Sequence, residues 1–392
     1  MTNRDARPPS GTVTWQAAWA RRIARQGLET PGGTPAGVTG AMLGAHAQVM
    51  SAAELSVALR VGGGATRADV RAALWQERTL VKTYGPRGTV HLLPAADLPL
   101  WTGALSAIPA GGPVMPDGVR MTPEQTDEVV AAIRDALGDG QALTVDELTD
   151  AITARTGSWA GDRVMEAFQD KWPRWRQATH TAAHRGVLAF GPVRGRRVTY
   201  TSPDVTPLPG PAALEEVVLR YLRAYGPSTP QWFARWLAAP KGWAARLFAE
   251  QAAAGRITEV VCDDGPAWVA AGDTAFDAGS GPRGVRLLPY FDAYTIAAQP
   301  RERLFPGAAW DRALAGGQAG NYPVVLVDGT VSGVWHQRRS GRRVTVTVEP
   351  VGPALASPAA REELAAQAER VGEVLEGRAE LVVGEVTVGP HA

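Results

Sequence analysis

A histidine and a glutamine separated by one alanine, His46 and Gln48, are the polar pair most suggestive of chemistry in the chain. An imidazole with its ordinary pKa of ~6.5 exchanges a proton near neutral pH, and a carboxamide both donates and accepts hydrogen bonds. Side chains at this spacing point the same way only where the backbone is extended or sharply turned. The pair follows an apolar stretch ending at Leu43, so a hydrogen-bonded polar pair at a helix end is the simpler interpretation.

The chain lacks the common catalytic and metal-binding motifs. It has no GxSxG, HExxH or P-loop motif. The glycine-rich stretch GSGPRG at residues 279–284 precedes a strand and contains a proline, whereas a dinucleotide site needs a strand before it and a helix after it. His180 and His184 could share one helix face, but metal binding would need a third ligand, and none is nearby. We therefore expect a linker at the glycine-rich stretch, no metal site and no cofactor.

Composition narrows the class of protein. Only three of the 40 basic residues are lysines, and arginine binds phosphates bidentately and stacks on bases. A GC-rich genome also favours arginine codons, and with a net charge of +1 any nucleic-acid-binding face must be locally basic. The lone cysteine, Cys262, excludes a disulfide framework and a cysteine-based zinc cluster. No apolar run reaches ~18 residues and no leader peptide is visible, so we expect a cytoplasmic protein without membrane segments.

A pattern of three helices followed by a hairpin is predicted three times. The copies span about residues 15–100, 122–202 and 211–272. In the first copy, Ser51 and Glu54 resemble a capping box, and in the second a helix over residues 162–185 is interrupted at Pro173. This order of elements is that of a winged helix, which binds DNA but also serves as a plain interaction module.

From residue 285 onward the pattern changes to short strands. Strands are predicted at residues 285–289, 324–327, 331–335 and 342–348, with Asp328-Gly329 as a hairpin turn. An amphipathic helix over residues 361–375 precedes a segment, residues 379–388, that could close a small sheet. The sequence therefore indicates an α+β fold.

Several sequence segments together carry a family resemblance. They are residues 21–22, 26–28, 47–48, 51–55, 73–75 and 80–83, RGTVHLLPAADL at residues 87–98, YLRAYGPSTP at residues 221–230, and LLPYFD at residues 287–292. With these segments the chain resembles, over nearly its whole length, the winged-helix DNA glycosylases of the AlkZ/YcaQ type, which excise alkylated purines.

The resemblance implies a division of the chain into modules. A flexible N-terminus, residues 1–12, would precede three tandem winged-helix units at residues 13–120, 121–210 and 211–283. A small β-barrel-like module, residues 284–392, would follow. The fold implied is curved around an open DNA channel that tolerates bulky adducts and cross-links. The implied partner is double-stranded DNA containing alkylated purines, bound by a monomer without an obligatory protein partner.

The resemblance also implies the catalytic residues. The family motif is Gln–hydrophobic–Gln, with Asp in place of the second Gln in one branch, and it falls on His46-Ala47-Gln48, so His46 departs from it. N7-alkylguanine is already cationic, and its departure needs only a water beneath C1′ and stabilisation of the sugar. Gln48 would orient that water, and His46 would accept its proton or hold it in place. No lysine is near the motif to form a Schiff base, which implies a monofunctional glycosylase.

The hairpins supply the candidate DNA contacts. These are Lys82 and Arg87 on the first hairpin and Arg194, Arg196 and Arg197 on the second. Wing arginines are also ordinary solvated surface residues. Two functions therefore stay open: a glycosylase that removes N7-alkylguanine lesions, for self-resistance to a DNA-alkylating natural product or for general repair, and a non-enzymatic winged-helix regulator or lesion-binding shield.

Overall fold

The computed structural model describes residues 12–109, 115–167, 170–277 and 281–390. The expectations for residues 1–11 and for the start of the glycine-rich stretch, residues 279–280, lie outside the described residues. The chain forms two compact units. The first unit comprises Met1–Arg71, Val218–Leu237 and Lys241–Ala392, and the second unit comprises Ala72–Val217 and Ala238–Pro240.

The helices alternate with short hairpins along much of the described chain. In chain order they are α1 (Trp15–Arg25), α2 (Pro35–Ala41), α3 (Met50–Arg60), α4 (Arg67–Trp75), α5 (Leu98–Ser106), α6 (Pro123–Leu137), α7 (Val145–Thr156), α8 (Thr179–His184), α9 (Gly210–Tyr225), α10 (Pro230–Leu237), α11 (Lys241–Ala253), α12 (Ala293–Ala297), α13 (Arg301–Leu304), α14 (Ala308–Ala313) and α15 (Pro358–Val374). Within the described residues, none of these helices combines the length and apolar character needed to cross a membrane.

The strands are mostly short. In chain order they are β1 (Ala45–His46), β2 (Leu80–Tyr84), β3 (Val90–Pro94), β4 (Leu143–Thr144), β5 (Arg163–Glu166), β6 (Lys171–Pro173), β7 (Ala189–Arg194), β8 (Arg197–Thr201), β9 (Ile257–Cys262), β10 (Gly265–Ala270), β11 (Val285–Leu288), β12 (Val324–Val327), β13 (Thr330–Ser340), β14 (Arg343–Pro350) and β15 (Arg378–Val383).

The C-terminal part of the first unit is a five-stranded, curled half-barrel sheet in chain order, β11 to β15. Asp328 and Gly329 have φ values of 47° and 80°, the left-handed backbone of a tight turn, and they join β12 to β13. β15 pairs parallel with β14, which requires a crossover, and α15 supplies it. A buried cluster under this sheet includes Ile23 of α1, so the sheet and the N-terminal helices of this unit share one core.

The second unit has its own core. Its buried cluster joins α6 and α7 to the three-stranded sheet of β4, β8 and β7, with Trp175 and Tyr200 at its centre. Thr122 and Thr144 each form a complete capping box, with Gln125 and Glu147, at the starts of α6 and α7. Each box joins residues three positions apart, so a local sequence pattern sets where both helices begin.

Two local predictions were wrong. Residues 163–166 and 171–173 form the antiparallel strands β5 and β6 in place of a helix, and Pro173 disfavours helical backbone at Trp172 before it. The proposed capping box at Ser51 is absent: α3 has Val49 as its N-cap, without a side-chain hydrogen bond. Glu54 instead makes two hydrogen bonds to the Arg71 guanidinium, at 2.6 and 3.0 Å.

Candidate active site and DNA-contacting residues

A tight turn in the first unit places His46. Helix α2 ends in a Schellman motif, in which the Gly44 N–H donates to the Thr39 carbonyl at 2.9 Å and the Leu43 N–H donates to the Gly40 carbonyl at 3.0 Å. Leu43 and Gly44 have φ values of 59° and 102°, left-handed backbone that a leucine adopts only at a cost. This reversal sends the chain directly into β1, where the backbone is extended at His46.

The turn is also held from outside α2. The Tyr225 hydroxyl donates to the carbonyl of Met42 at 2.5 Å, and both groups are buried. The Ser56 hydroxyl lies 3.9 Å from the Met42 sulfur. Helices α3 and α9 therefore both contact the residue that begins the turn, and the loop carrying His46 has a defined position within the first unit.

His46 and Gln48 lie in different environments on the same loop. His46 is only 7% exposed, and its ring stacks on Phe291 with centroids 5.4 Å apart and an interplanar angle of 23°. Ala47 is buried, and Gln48 is exposed immediately before the N-cap of α3. The loop thus combines an imidazole fixed against an aromatic wall with a carboxamide open to solvent. A carboxamide can order a water molecule, and an imidazole can exchange a proton near neutral pH.

The segment that carries Phe291 is tied to α3 by charge. Phe291 has a φ of 53°, and the next residue, Asp292, accepts hydrogen bonds from both terminal nitrogens of Arg60, at 2.9 and 2.8 Å. Both side chains are fully buried. LLPYFD stands out in the sequence, but no role for Asp292 or Arg60 follows from it, because the partner of each residue is remote in sequence. A charged residue inside an apolar stretch was the one signal available.

An open cavity of about 520 Å³ in the first unit adjoins the turn before His46. Three arginines and Asp273 contribute to its lining, together with Leu43. Arg25 makes two hydrogen bonds to the Asp273 carboxylate, and Arg25 and Arg223 lie in the last turns of α1 and α9. Cations at helix C-termini offset the partial negative charge there. Structural roles account for Arg25 and Arg223, and we assign no ligand to this cavity.

In the second unit, Lys82 and Arg87 lie on the hairpin of β2 and β3. The Lys82 ammonium is 5.1 Å from the centroid of the Phe190 ring, within cation–π range, and it lines a cavity of about 420 Å³ together with Arg78, Trp75 and Phe190. Arg87 occupies the middle of the turn Pro86–Gly88 with a φ of 61°. The strained turn holds this guanidinium at the end of the hairpin.

Three histidines surround that turn. The His91 ring packs against Gly85, the His180 ring against Gly88, and the Gly85 backbone hydrogen-bonds to His184. Burial lowers the pKa of His91 to about 3 and that of His184 to about 4, so the rings are neutral at physiological pH. His180 and His184 thus pack around the hairpin, and the described ranges contain no group of three His, Cys, Asp or Glu residues placed to hold a metal ion.

The second hairpin, β7 and β8, carries partly compensated charge. Arg194 pairs with Glu147 at 2.7 Å, and Arg197 lies 3.5 Å from Asp146. Arg196 lies in the turn between the strands and is exposed. Its side chain has no ion pair with the part of the chain that the structure describes. The structure therefore keeps the three arginines on one hairpin but sets two of them against carboxylates.

Comparison with known proteins agrees with these features. The model of the AlkZ-like DNA glycosylase family matches residues 39–374. The chain is 31% identical over 340 residues, 82% of its own length and 88% of the relative's, to an interstrand DNA cross-link repair glycosylase of Streptomyces sahachiroi. The solved structure of the S. sahachiroi DNA glycosylase AlkZ superposes with a TM-score of 0.79 at 28% identity, covering 95% of this chain and 100% of that one. The chain therefore belongs to the AlkZ-like family of DNA glycosylases.

Proposed function

We propose that this glycosylase hydrolyses the N-glycosidic bond of N7-alkylguanine in duplex DNA, including guanines joined in interstrand cross-links. The observation that carries the proposal is the 31% sequence identity, over 82% of the chain, to a relative named for cross-link repair. N7 alkylation leaves the base positively charged, so the base departs without being protonated. The protein has to position a water and stabilise the cationic sugar, and a small set of polar side chains suffices for that.

His46 and Gln48 are the proposed catalytic residues. The exposed Gln48 carboxamide can hold the attacking water through its carbonyl oxygen. The nearly buried imidazole of His46, fixed against Phe291, either takes the proton of that water or holds the water in place. The water oxygen forms a bond to C1′ while the bond from C1′ to the base nitrogen breaks. The products are an abasic site and the free alkylated base, and no lysine in the loop is available to continue to strand cleavage.

The hairpins of the second unit are the proposed DNA contacts. Lys82, Arg87 and Arg196 would bind phosphates, and Arg194 and Arg197 would do so by exchanging their carboxylate partners for phosphates. Because such contacts are made to the backbone, we expect binding with little sequence preference and strong salt dependence.

We also propose the finer architecture. It consists of three winged-helix units, at residues 13–120, 121–210 and 211–283, before the C-terminal half-barrel. The order α9, α10, α11, β9 and β10 matches a winged helix and supports the third of these units. We propose that the biological role is self-resistance to a DNA-alkylating natural product. Its test is whether deletion of the gene sensitises the producing cell to that compound more than to methylating agents.

The experiment that tests the function is single-turnover excision. Duplexes containing one N7-methylguanine or one N7-linked cross-link are incubated with excess protein, and abasic sites are scored by alkaline cleavage. We expect base release from both substrates, without strand scission before the alkaline step. Salt-dependent binding without base release would refute the glycosylase assignment and favour a lesion-binding shield.

A further inference from the structure

A fully buried ion pair lies in the first unit beside the candidate catalytic loop. Arg60 and Asp292 are 232 positions apart in sequence, and both side chains have 0% exposure. Asp292 also accepts a hydrogen bond from the Ser56 hydroxyl at 2.7 Å and from the Tyr294 N–H at 3.0 Å. Arg60 donates further to the Ser56 carbonyl at 2.9 Å. The pair is therefore part of a hydrogen-bonded network on one face of α3.

Such a pair is a poor choice for stability alone. Two charges removed from water lose hydration that their mutual attraction only partly restores, and well-packed apolar residues of similar volume are often as stable or more stable. A buried pair does something apolar side chains cannot do: its directional hydrogen bonds define one geometry. We therefore expect the network to fix the position of the chain segment that contains Asp292.

What it holds is Phe291. This residue immediately precedes Asp292 and has a φ of 53°, a conformation that costs a bulky residue on the order of 1–3 kcal/mol. Its N–H donates to the Gly320 carbonyl at 2.9 Å. Two contacts therefore hold the strained backbone in place. Gly320 binds Phe291 itself, and Arg60 binds the following residue. Strain of this kind persists only where the surroundings over-determine it.

The ring of Phe291 stacks on His46, and His46 begins the short loop that leads into α3. Helix α3 thus connects the two parts of the site. The loop with His46 and Gln48 leads into its start, and Ser56 and Arg60, which bind Asp292, lie along its length. We propose that Arg60 and Asp292 are positioning residues, which act through Phe291 to set the orientation of the His46 imidazole. The inference rests on the proposed function of His46. It adds three residues to the site that the family motif does not include.

The test uses variants that keep the fold. Phe291→Leu keeps an apolar side chain but removes the stacking ring. The double variant Arg60→Leu with Asp292→Leu replaces the ion pair by apolar side chains, so that no charge is left buried without a partner. The matched control is Arg312→Leu with Glu349→Leu, a second ion pair of the same unit at 2.8 Å, which ties α14 to β14. Melting temperatures select the variants that remain folded.

Three readouts separate positioning from a merely structural role. They are the single-turnover excision rate for N7-methylguanine, the Kd for an undamaged duplex, and the ¹⁵N NMR signals of the His46 ring, assigned by comparison with His46→Gln. We expect both site variants to lose roughly 10–100-fold in rate, since a misplacement of about 1 Å can cost that much. We expect their Kd to change less than about twofold while the His46 signals shift. The control should retain the rate and the signals.

Unchanged His46 signals in both folded site variants would overturn the inference, whatever happens to the rate. An unchanged rate with shifted signals would also overturn it, because the orientation would then not matter for catalysis. Failure of the wild-type protein to release any base refutes the proposed function instead, and the NMR comparison still decides whether Arg60 and Asp292 set the position of the ring.

Discussion

Substitution of Gln48 is the most direct test of the proposed chemistry. The side chain is exposed, so Gln48→Ala should change the free energy of unfolding by no more than about 0.5 kcal/mol. Loss of one hydrogen bond to the attacking water should raise the barrier by about 1–3 kcal/mol. We therefore expect excision of N7-methylguanine to slow about 5–150-fold. The Kd for DNA should stay unchanged.

His46 needs a different control, because it is nearly buried and stacked on Phe291. His46→Ala removes an aromatic contact worth about 0.5–1.5 kcal/mol, so its melting temperature should fall slightly. If the imidazole is a general base, the rate should fall by a further ~10²–10⁴-fold at constant folded fraction. His46→Gln distinguishes the two roles. It restores the usual family residue and should keep appreciable activity if the first position only holds the water.

The assay is single-turnover excision across pH with the wild type and the three variants. A general base becomes inactive when protonated, so a general-base role predicts a wild-type rate that declines as the pH is lowered while the rate of His46→Gln stays flat. A glutamine variant with most of the wild-type rate, together with a flat wild-type profile, would assign His46 to water positioning. Full activity in both alanine variants would refute the reasoning, because this loop would then have no part in catalysis.

Three further outcomes are expected. Alanine at all three basic positions of the second hairpin should lower the slope of log Kd against log salt, since each phosphate contact contributes about 0.9; an unchanged slope would remove that hairpin, Arg194, Arg196 and Arg197, from the DNA. Excess chelator and dialysis should leave excision intact, because a positioned water suffices, and recovery of a lost rate by added zinc or magnesium would contradict this. Acid should destabilise the second unit: burial lowers the pKa of His91 to about 3 and that of His184 to about 4, so the unfolded chain binds protons below about pH 6.5 that the folded chain excludes, and each of these two groups lowers stability by about 1.4 kcal/mol per pH unit. His91→Gln should remove only the His91 share of that decline in thermal unfolding measured between pH 7 and pH 5, and an unchanged decline would contradict this.

The local elements follow closely from residue order. Thr122 and Thr144 start helices because each hydroxyl accepts a hydrogen bond from a backbone N–H three residues later. Asp328-Gly329 forms a hairpin because both residues tolerate left-handed backbone. Such signals involve only a few neighbouring residues, so they can be predicted from a single sequence. These signals account for many of the helices and hairpins, whereas the loop with His46 and Gln48 was identified by its match to the family motif.

Contacts between separate elements cannot be predicted from the sequence in this way. Glu54 could have capped α3, but the guanidinium of Arg71 lies within 2.6 Å of its carboxylate, and an ion pair to a side chain folded against α3 outweighs a local cap. Strands β5 and β6, at residues 163–166 and 171–173, are different, because they are neighbours in sequence and Pro173 already disfavours a helix there. The contact of Glu54 depends on where α4, which carries Arg71, lies against α3.

The candidate site likewise contains residues that can be recognised in the sequence and residues that only the fold brings together. The candidate catalytic residues, His46 and Gln48, are two positions apart and are recognisable in the sequence through their match to the family motif. The wall behind His46 is not, because Phe291 and the Asp292–Arg60 pair come together only when segments more than 200 residues apart are packed. Burial makes that pairing decisive: a charge hidden from water requires a partner, and only the folded chain determines which partner it meets.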